Sequence, residues 1–540
     1  MTVHFDLPPP REDAVPAFTT AKACAEWREA LPLANAATAQ AQLRAQLGLL
    51  PSAGLRPPVL FDMLEQMRDA VIATQADVGK RYIGRALPLA DFELVAATGS
   101  FELWRAFVTC HLVCVQAVLH GERDFRPGPA AVCQRAMDAQ GRLILDMLLA
   151  GYEVPATEWQ LLHKLLRAAE EAGVAHEKVR DRHLRETTGT HCAATYTRPI
   201  LLALGGPNEW GAKQTLMIAR LIERWANKVE VSALAPDMPT KPPVMVDLSS
   251  GRGGYRPEIA GDVTGQDLRY IDISGLAQSI KNRVVMLRKG ESPVKLGLGE
   301  DFPMPGGEQL LYQLYKHWGD GRTGREMPRR ISLGTAMITH TLEATHYYIG
   351  GKPFKQPVQS GELTARQRQE IATFGRIATR HDDDHSQNEG FSLESWMLRD
   401  ESMAGLRMTR APGLQGARLK VGHLIAARPA DARAFMVGSV RWAQVQSGGE
   451  LMIGVRAFPG AAGAVAVKPT GVNAAGEKFQ QALLLPPVPA LHSPESLVVA
   501  SGTFKAGKVV EVQADIPFQA KLESVIERGA DFERCAFARA

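Results

Sequence analysis

From about residue 20 to 230 apolar side chains recur every three or four positions, and from about 321 onward they fall instead into runs rich in Val, Ile, Thr and Tyr. A helix stripe and a strand face are not interchangeable, so a chain carrying both periods builds an all-α region followed by an antiparallel β region, an α+β multidomain protein. In TEWQLLHKLLRAAEEAG, Trp159, Leu162, Leu165, Leu166 and Ala169 share one face, and Gly173 stands where a helix stop belongs. In NEWGAKQTLMIARLIERWANK, Met217, Ile218, Leu221, Ile222 and Trp225 form a second stripe, with Arg220, Glu223 and Arg224 facing away. Both stripes are read as core.

The helical region is expected over 1–234. Pro and Gly then cluster in PDMPTKPPVMVDLSSGRGGYRP, the helical period fails, and a mixed connecting segment is expected over 235–320. Its GRGG stretch could cradle a phosphate but lacks the GK[ST] ending and the strand-turn-helix frame of a phosphate-binding loop. FMVGSVRWAQVQ and ELMIGVRAF, parted by Ser447, Gly448 and Gly449, predict a hairpin within a barrel over 321–465. SLVVASGTF and KVVEVQADIPF predict strands in a C-terminal β extension over 466–540. Residues of about 351–394, with KQPVQSGELTARQRQE and HDDDHSQNEG, are polar and poor in strand signal, and are expected to project from the barrel as an insertion.

Lys plus Arg exceed Asp plus Glu by four, too small a surplus to gather a nucleic-acid polymer, so any anion site is local. The opening MTVHFDLPPPRED has no signal-peptide pattern, and no apolar run approaches the ~20 residues that span a bilayer, which together predict a cytoplasmic chain. Six scattered cysteines predict reduced thiols. Cys110 and Cys114, one helical turn apart around His111, are read as buried packing groups, because no second ligand pair follows at zinc spacing.

The β region carries the chemistry. WMLRDESMAGLRM holds Asp400, Ser402 and Gly405 in the pattern DxSxxG, and upstream GREMPRRISLGTAMI holds Arg325 and Arg329 as RxxxR with Arg330 beside them. Downstream, Val440, Trp442, Ile453, Gly454, Val455 and Phe458 occupy two closing strands. In this order and context these elements resemble the PilZ-domain family, and the helical front makes the whole resemble long proteobacterial cyclic di-GMP-binding proteins. The resemblance covers about a quarter of the chain once the insertion is set aside. It implies a small antiparallel barrel that binds cyclic di-GMP through Arg325, Arg329, Arg330, Asp400, Ser402 and Gly405. It further implies no catalytic residue, no metal and no cofactor, with a protein partner engaged through the helical region.

The residue types suit that ligand on chemical grounds. Arginine pairs bidentately with a phosphodiester or with guanine O6 and N7 and stacks on a purine face, as lysine cannot. A carboxylate accepts from guanine N1 and N2, a serine hydroxyl gives or takes a hydrogen bond, and glycine admits a close backbone approach. Between Arg329 and Asp400 lie 70 residues; removing 351–394 takes away 44 and leaves 26, enough for a strand, a turn and the start of the next strand. A rival RxxxR, Arg376 and Arg380, lies 19 residues before Asp400 but runs into HDDDHSQNEG, which cannot be a core strand. A decoy, YIDISGLAQ, has Asp272 and Ser274 but Ala277 in the glycine position.

Two other functions fit parts of the sequence. His381, Asp382, Asp383, Asp384 and His385 contain the ligand types of an HD-type phosphohydrolase, although adjacent side chains diverge where metal ligands must converge. A scaffold whose barrel has lost its ligand is the other.

Overall fold

A computed structural model of the chain describes residues 2–184, 189–237, 242–255, 265, 267–304, 306–320, 329–357, 391–470 and 477–540. Arg325, the pair Arg376 and Arg380, and the HDDDH cluster lie outside the described residues. The chain divides into two compact units, Met1–Glu326 and Met327–Ala540.

The first unit opens with helices α1 (Ala21–Glu29), α2 (Ala36–Leu49), α3 (Pro57–Gly79), α4 (Asp91–Leu119), α5 (Pro129–Leu149) and α6 (Ala156–Glu171). Their starts carry recognisable caps. The Thr20 hydroxyl accepts from the Ala23 amide at 3.2 Å, and the Glu93 carboxylate reaches back to the Ala90 amide at 2.9 Å. The α6 stripe is buried as expected, and Gly173 follows the helix with φ of 73°. By length and composition α4 could cross a membrane, with mean hydropathy 1.3 over its most apolar window, but 61% of that window is buried within the protein. His111 on α4 is fully buried against Phe107, and Cys110 donates to the Leu47 carbonyl, so the cysteines flanking this histidine pack in the core.

Strands β1 (Val179–Arg180) and β2 (Gly189–Thr190) pair before α7 (Cys192–Leu204) and α8 (Ala212–Trp225) complete the helical layer. Ile218, Leu221, Ile222 and Trp225 of α8 are buried, but Met217, read as part of that stripe, is only half-buried. Arg68 on α3 links these elements from within. It is 3% exposed and donates to Asp138 of α5 at 2.9 Å and to Asp181 at 2.7 Å. The connecting segment forms a sheet of β3 (Glu230–Ser232), β4 (Val244–Asp247) and β5 (Leu268–Asp272), in the order β3-β5-β4, followed by α9 (Ser274–Arg288) and α10 (Gly307–Tyr315). The GRGG stretch is a packing turn. A Cβ on Gly253 would strike the Trp159 ring, and the Arg252 carbonyl lies 2.7 Å from His163 Nε2. The decoy motif is a helix start, where Asp272 accepts from the Ser274 amide at 2.8 Å.

The second unit holds two closed antiparallel barrels. Its first part contains β6 (Arg330–Ile331), β7 (Thr335–His340), helix α11 (Leu342–Gly350), β8 (Glu394–Ser402), β9 (Gly405–Arg410), β10 (Leu424–Pro429), β11 (Met436–Val445) and β12 (Leu451–Ala457). The sheet runs β6-β8-β7-β10-β11-β12-β9, and the β8 and β9 pairing closes it. The expected hairpin is β11 and β12, whose turn carries Gly449 at φ of 81°. The stretch expected to belong to the barrel ahead of the insertion is not all strand, since 342–350 is helical. Thr341 caps α11 through the Ala344 amide, and Gly351 ends it in the left-handed region.

The strands from Gly463 onward close on themselves. They are β13 (Gly463–Pro469), β14 (Gln480–Leu485), β15 (Ser496–Ala500), β16 (Val509–Gln513), β17 (Phe518–Arg528) and β18 (Phe532–Arg539), in the barrel order β13-β14-β15-β18-β17-β16. The two barrels share a core in which Leu342 of α11 packs with Leu424, Val437 and Phe458 of the first and Leu483, Val498 and Phe532 of the second.

Candidate functional site

The DxSxxG residues occupy the hairpin of β8 and β9. Ser402 pairs with Gly405 across a loop of Met403 and Ala404 alone, which sets Asp400 directly opposite Arg407. The Ser402 hydroxyl lies 3.3 Å from the Ala404 amide, from which it accepts, and 3.4 Å from the Gly405 carbonyl, to which it donates; it therefore braces the turn from inside. Gly405 is required for space. A side chain there would collide with the Val455 carbonyl of the neighbouring β12.

Asp400 is the centre of the site. Its side chain is 8% exposed, and a carboxylate that far from water needs partners. Arg407 supplies one at 2.6 Å, and Arg329, just before β6, supplies a second through its Nη1. The chain brings Arg329 there because Ile331 of β6 pairs with Asp400 itself. Arg330 turns to Glu401, its register partner, and lies 4.0 Å from Asp431. The bond it donates to Glu401 raises the Arg330 pKa above its already high ordinary value. A bulge at Arg399 separates Leu398 from Asp400 in the β8 and β9 register. Around the hairpin Ile331, Leu333 and Met403 are exposed.

Of the residues singled out from sequence, the structure brings Arg329 and Asp400 into one ion pair. It places Ser402 and Gly405 in the adjoining turn and Arg330 on the neighbouring acid. Sequence reasoning missed Arg407 and Glu401. The signal for Arg407 was available, since a two-residue loop between Ser402 and Gly405 fixes which residues face each other. The arrangement concentrates three guanidinium groups around two carboxylates on one barrel edge, chemistry suited to gripping a phosphate while presenting an acceptor to a base.

Residues 22–237 match the family described as the N-terminal domain of the cyclic-di-GMP receptor FimW, and residues 465–540 match the FimW C-terminal beta-barrel domain. The cyclic-di-GMP receptor FimW of Pseudomonas aeruginosa is 22% identical over 524 residues, an alignment that covers 90% of this chain and 85% of that protein. The matched segments are the helical layer at one end and the second barrel at the other. The chain thus carries both domains of the FimW family, the N-terminal one over residues 22–237 and the C-terminal barrel over residues 465–540.

Proposed function

We propose that this protein is a cyclic di-GMP-binding effector, a receptor and not an enzyme, whose ligand site is the edge formed by Arg329, Arg330, Asp400, Ser402, Gly405 and the preceding Arg325. The observation that carries the reading is the convergence of Arg329 and Arg407 on Asp400 at the DxSxxG hairpin, in a chain aligned with a cyclic-di-GMP receptor over 90% of its length. Arg329 is paired with Asp400. A phosphodiester competes for the Arg329 guanidinium, and the carboxylate oxygen released in the exchange accepts from guanine N1–H and N2–H. Arg325 and Arg329 lie on the stretch that joins the two compact units, so gripping the nucleotide fixes the conformation of that stretch. The ligand's preference for one conformation shifts the population. The helical unit is then the surface offered to a protein partner, in the cytoplasm.

Calorimetric titration of the full chain with cyclic di-GMP, with GMP as the control ligand, tests this. Saturable binding at micromolar concentration or below supports the effector. Silence with cyclic di-GMP leaves a scaffold. The HDDDH cluster on which an HD-type phosphohydrolase would rest lies outside the described residues, and neither the family matches nor the relative favours it.

A further inference from the structure

We propose that the helical unit contains a second binding site, separate from the nucleotide edge, for a small amphipathic anion: an apolar body ending in one carboxylate or sulfonate, of the fatty-acid kind. The site is a cleft of about 570 Å³ among α5, α7 and α8, within the ~300–1,000 Å³ of ordinary ligand sites. Gly141 of α5 faces the Pro199 ring of α7, where a Cβ would lie at an ordinary contact distance of 3.8 Å. The cleft opens between these two helices and α8.

Its walls are apolar, built by Leu145, Pro199, Leu202, Leu216 and Met217. Two of these are otherwise unexplained: Leu216 is 44% exposed, and Met217 leaves the core stripe to line the cleft. A neutral hydrophobe would satisfy the walls, but Arg198 asks for more. Its side chain is 13% exposed, its Nη2 donates to the Thr190 hydroxyl at 2.8 Å, and its Nη1 stops 3.8 Å from Asp138. Its Nε is buried without an acceptor among the described residues.

Asp138 answers that need only in part: its Oδ1 pairs with Arg198 at 3.8 Å, while its Oδ2 is held by Arg68 at 2.9 Å and Arg142 at 2.8 Å. Nearer the mouth, Arg220 and Asp301 close on each other at 2.7 Å. Arg142, Arg198, Lys213 and Arg220 line the cleft against Asp138, Glu223 and Asp301, a surplus of one positive charge. Burial pushes the Arg198 guanidinium below its ordinary pKa, a shift that a bound anion would reverse. An anionic head at Arg198 with an apolar tail along Leu202 and Met217 meets each of these demands. Cyclic di-GMP, with two charges and polar base edges, does not.

The test is fluorescence titration of the full chain with 1-anilinonaphthalene-8-sulfonate, followed by displacement. Saturable enhancement is expected, with decanoate displacing the probe at a concentration at least about tenfold below that of decanol. Cyclic di-GMP is expected to leave the signal unchanged. Leu216→Glu puts a carboxylate at the exposed mouth without touching the core, and should weaken probe binding by at least about tenfold. Leu202→Trp, which fills the cleft, should abolish it. The proposal is overturned by an unsaturable signal, by decanol matching decanoate, by displacement with cyclic di-GMP, or by Leu216→Glu binding as the parent does.

Discussion

Asp400 and Arg407 stand directly opposite each other on paired strands, and their side chains meet at 2.6 Å. The pair is a positioning device, because it holds the carboxylate in place whether or not Arg329 is engaged elsewhere. Arg407→Ala removes it and leaves a largely buried carboxylate with one partner. The expected loss is about 1 kcal/mol, discounted because Arg407 is partly exposed, or a melting shift of roughly 2–4 °C for a unit of this size. Cyclic di-GMP affinity should fall several-fold, because Arg329 is then the sole neutraliser of Asp400 and is harder to draw away. Unchanged melting and unchanged affinity in this variant would remove Arg407 from the site.

His111 makes the helical unit acid-sensitive. Burial is the largest cause that lowers its pKa from 6.5 to about 3, with the Arg68 and Arg135 charges adding to it, and neither ring nitrogen has a hydrogen-bond partner among the described residues. The folded state therefore stays neutral where the unfolded chain takes up a proton. Stability is full above pH 6.5 and is lost as pH falls toward 3, at a cost of about 2 kcal/mol between pH 7 and pH 5 from this group alone. Asp146 works in the opposite direction, since burial raises its carboxyl to about 6. The wild-type profile mixes the two, and His111→Leu separates them. Urea midpoints at pH 7 and pH 5 should show the variant gaining on the parent by about 2 kcal/mol at the lower pH; an equal gap at both values would contradict the assignment.

The polar insertion is expected to be dispensable. Its described flanks already meet, with the Tyr348 hydroxyl 3.4 Å from the Phe391 carbonyl and the Tyr347 and Phe391 rings 5.5 Å apart. Replacing 358–390 by a short Gly-Ser link should leave one cooperative unfolding transition of the barrels at an unchanged denaturant midpoint. Loss of cooperativity would show that a core element lies in that stretch.

What the sequence disclosed follows from how local each feature is. The stripes on α6 and the hairpin of β11 and β12 arise within one element or one turn, and both were legible. Helix α11 was not, because THYYI reads as strand by composition, and a helix of nine residues holds chiefly through burial between two barrels. Its caps, Thr341 and Gly351, were the available clue. Closure of the second barrel was hidden for a different reason. Strands β15 and β16 are neighbours in sequence, yet β15 pairs with β14 and β18 while β16 pairs with β13 and β17, a non-local arrangement that periodicity cannot encode. At the site, the motif named Asp400 and Arg329, whereas Arg407 emerged only from strand register.

The central claim is that Arg329 and Asp400 form the nucleotide site. Its most direct test compares cyclic di-GMP dissociation constants, by calorimetry, for the parent chain and for Arg329→Ala, Asp400→Ala and the double change Arg376→Ala with Arg380→Ala. Loss of one charge-assisted contact, about 1.5–3 kcal/mol, predicts roughly ten- to a hundredfold weaker binding for each of the first two. Their unfolding transitions should remain cooperative, and the Arg376 and Arg380 change should have no effect. Binding that survives Arg329→Ala and Asp400→Ala intact, or that vanishes only with Arg376 and Arg380, would contradict the account.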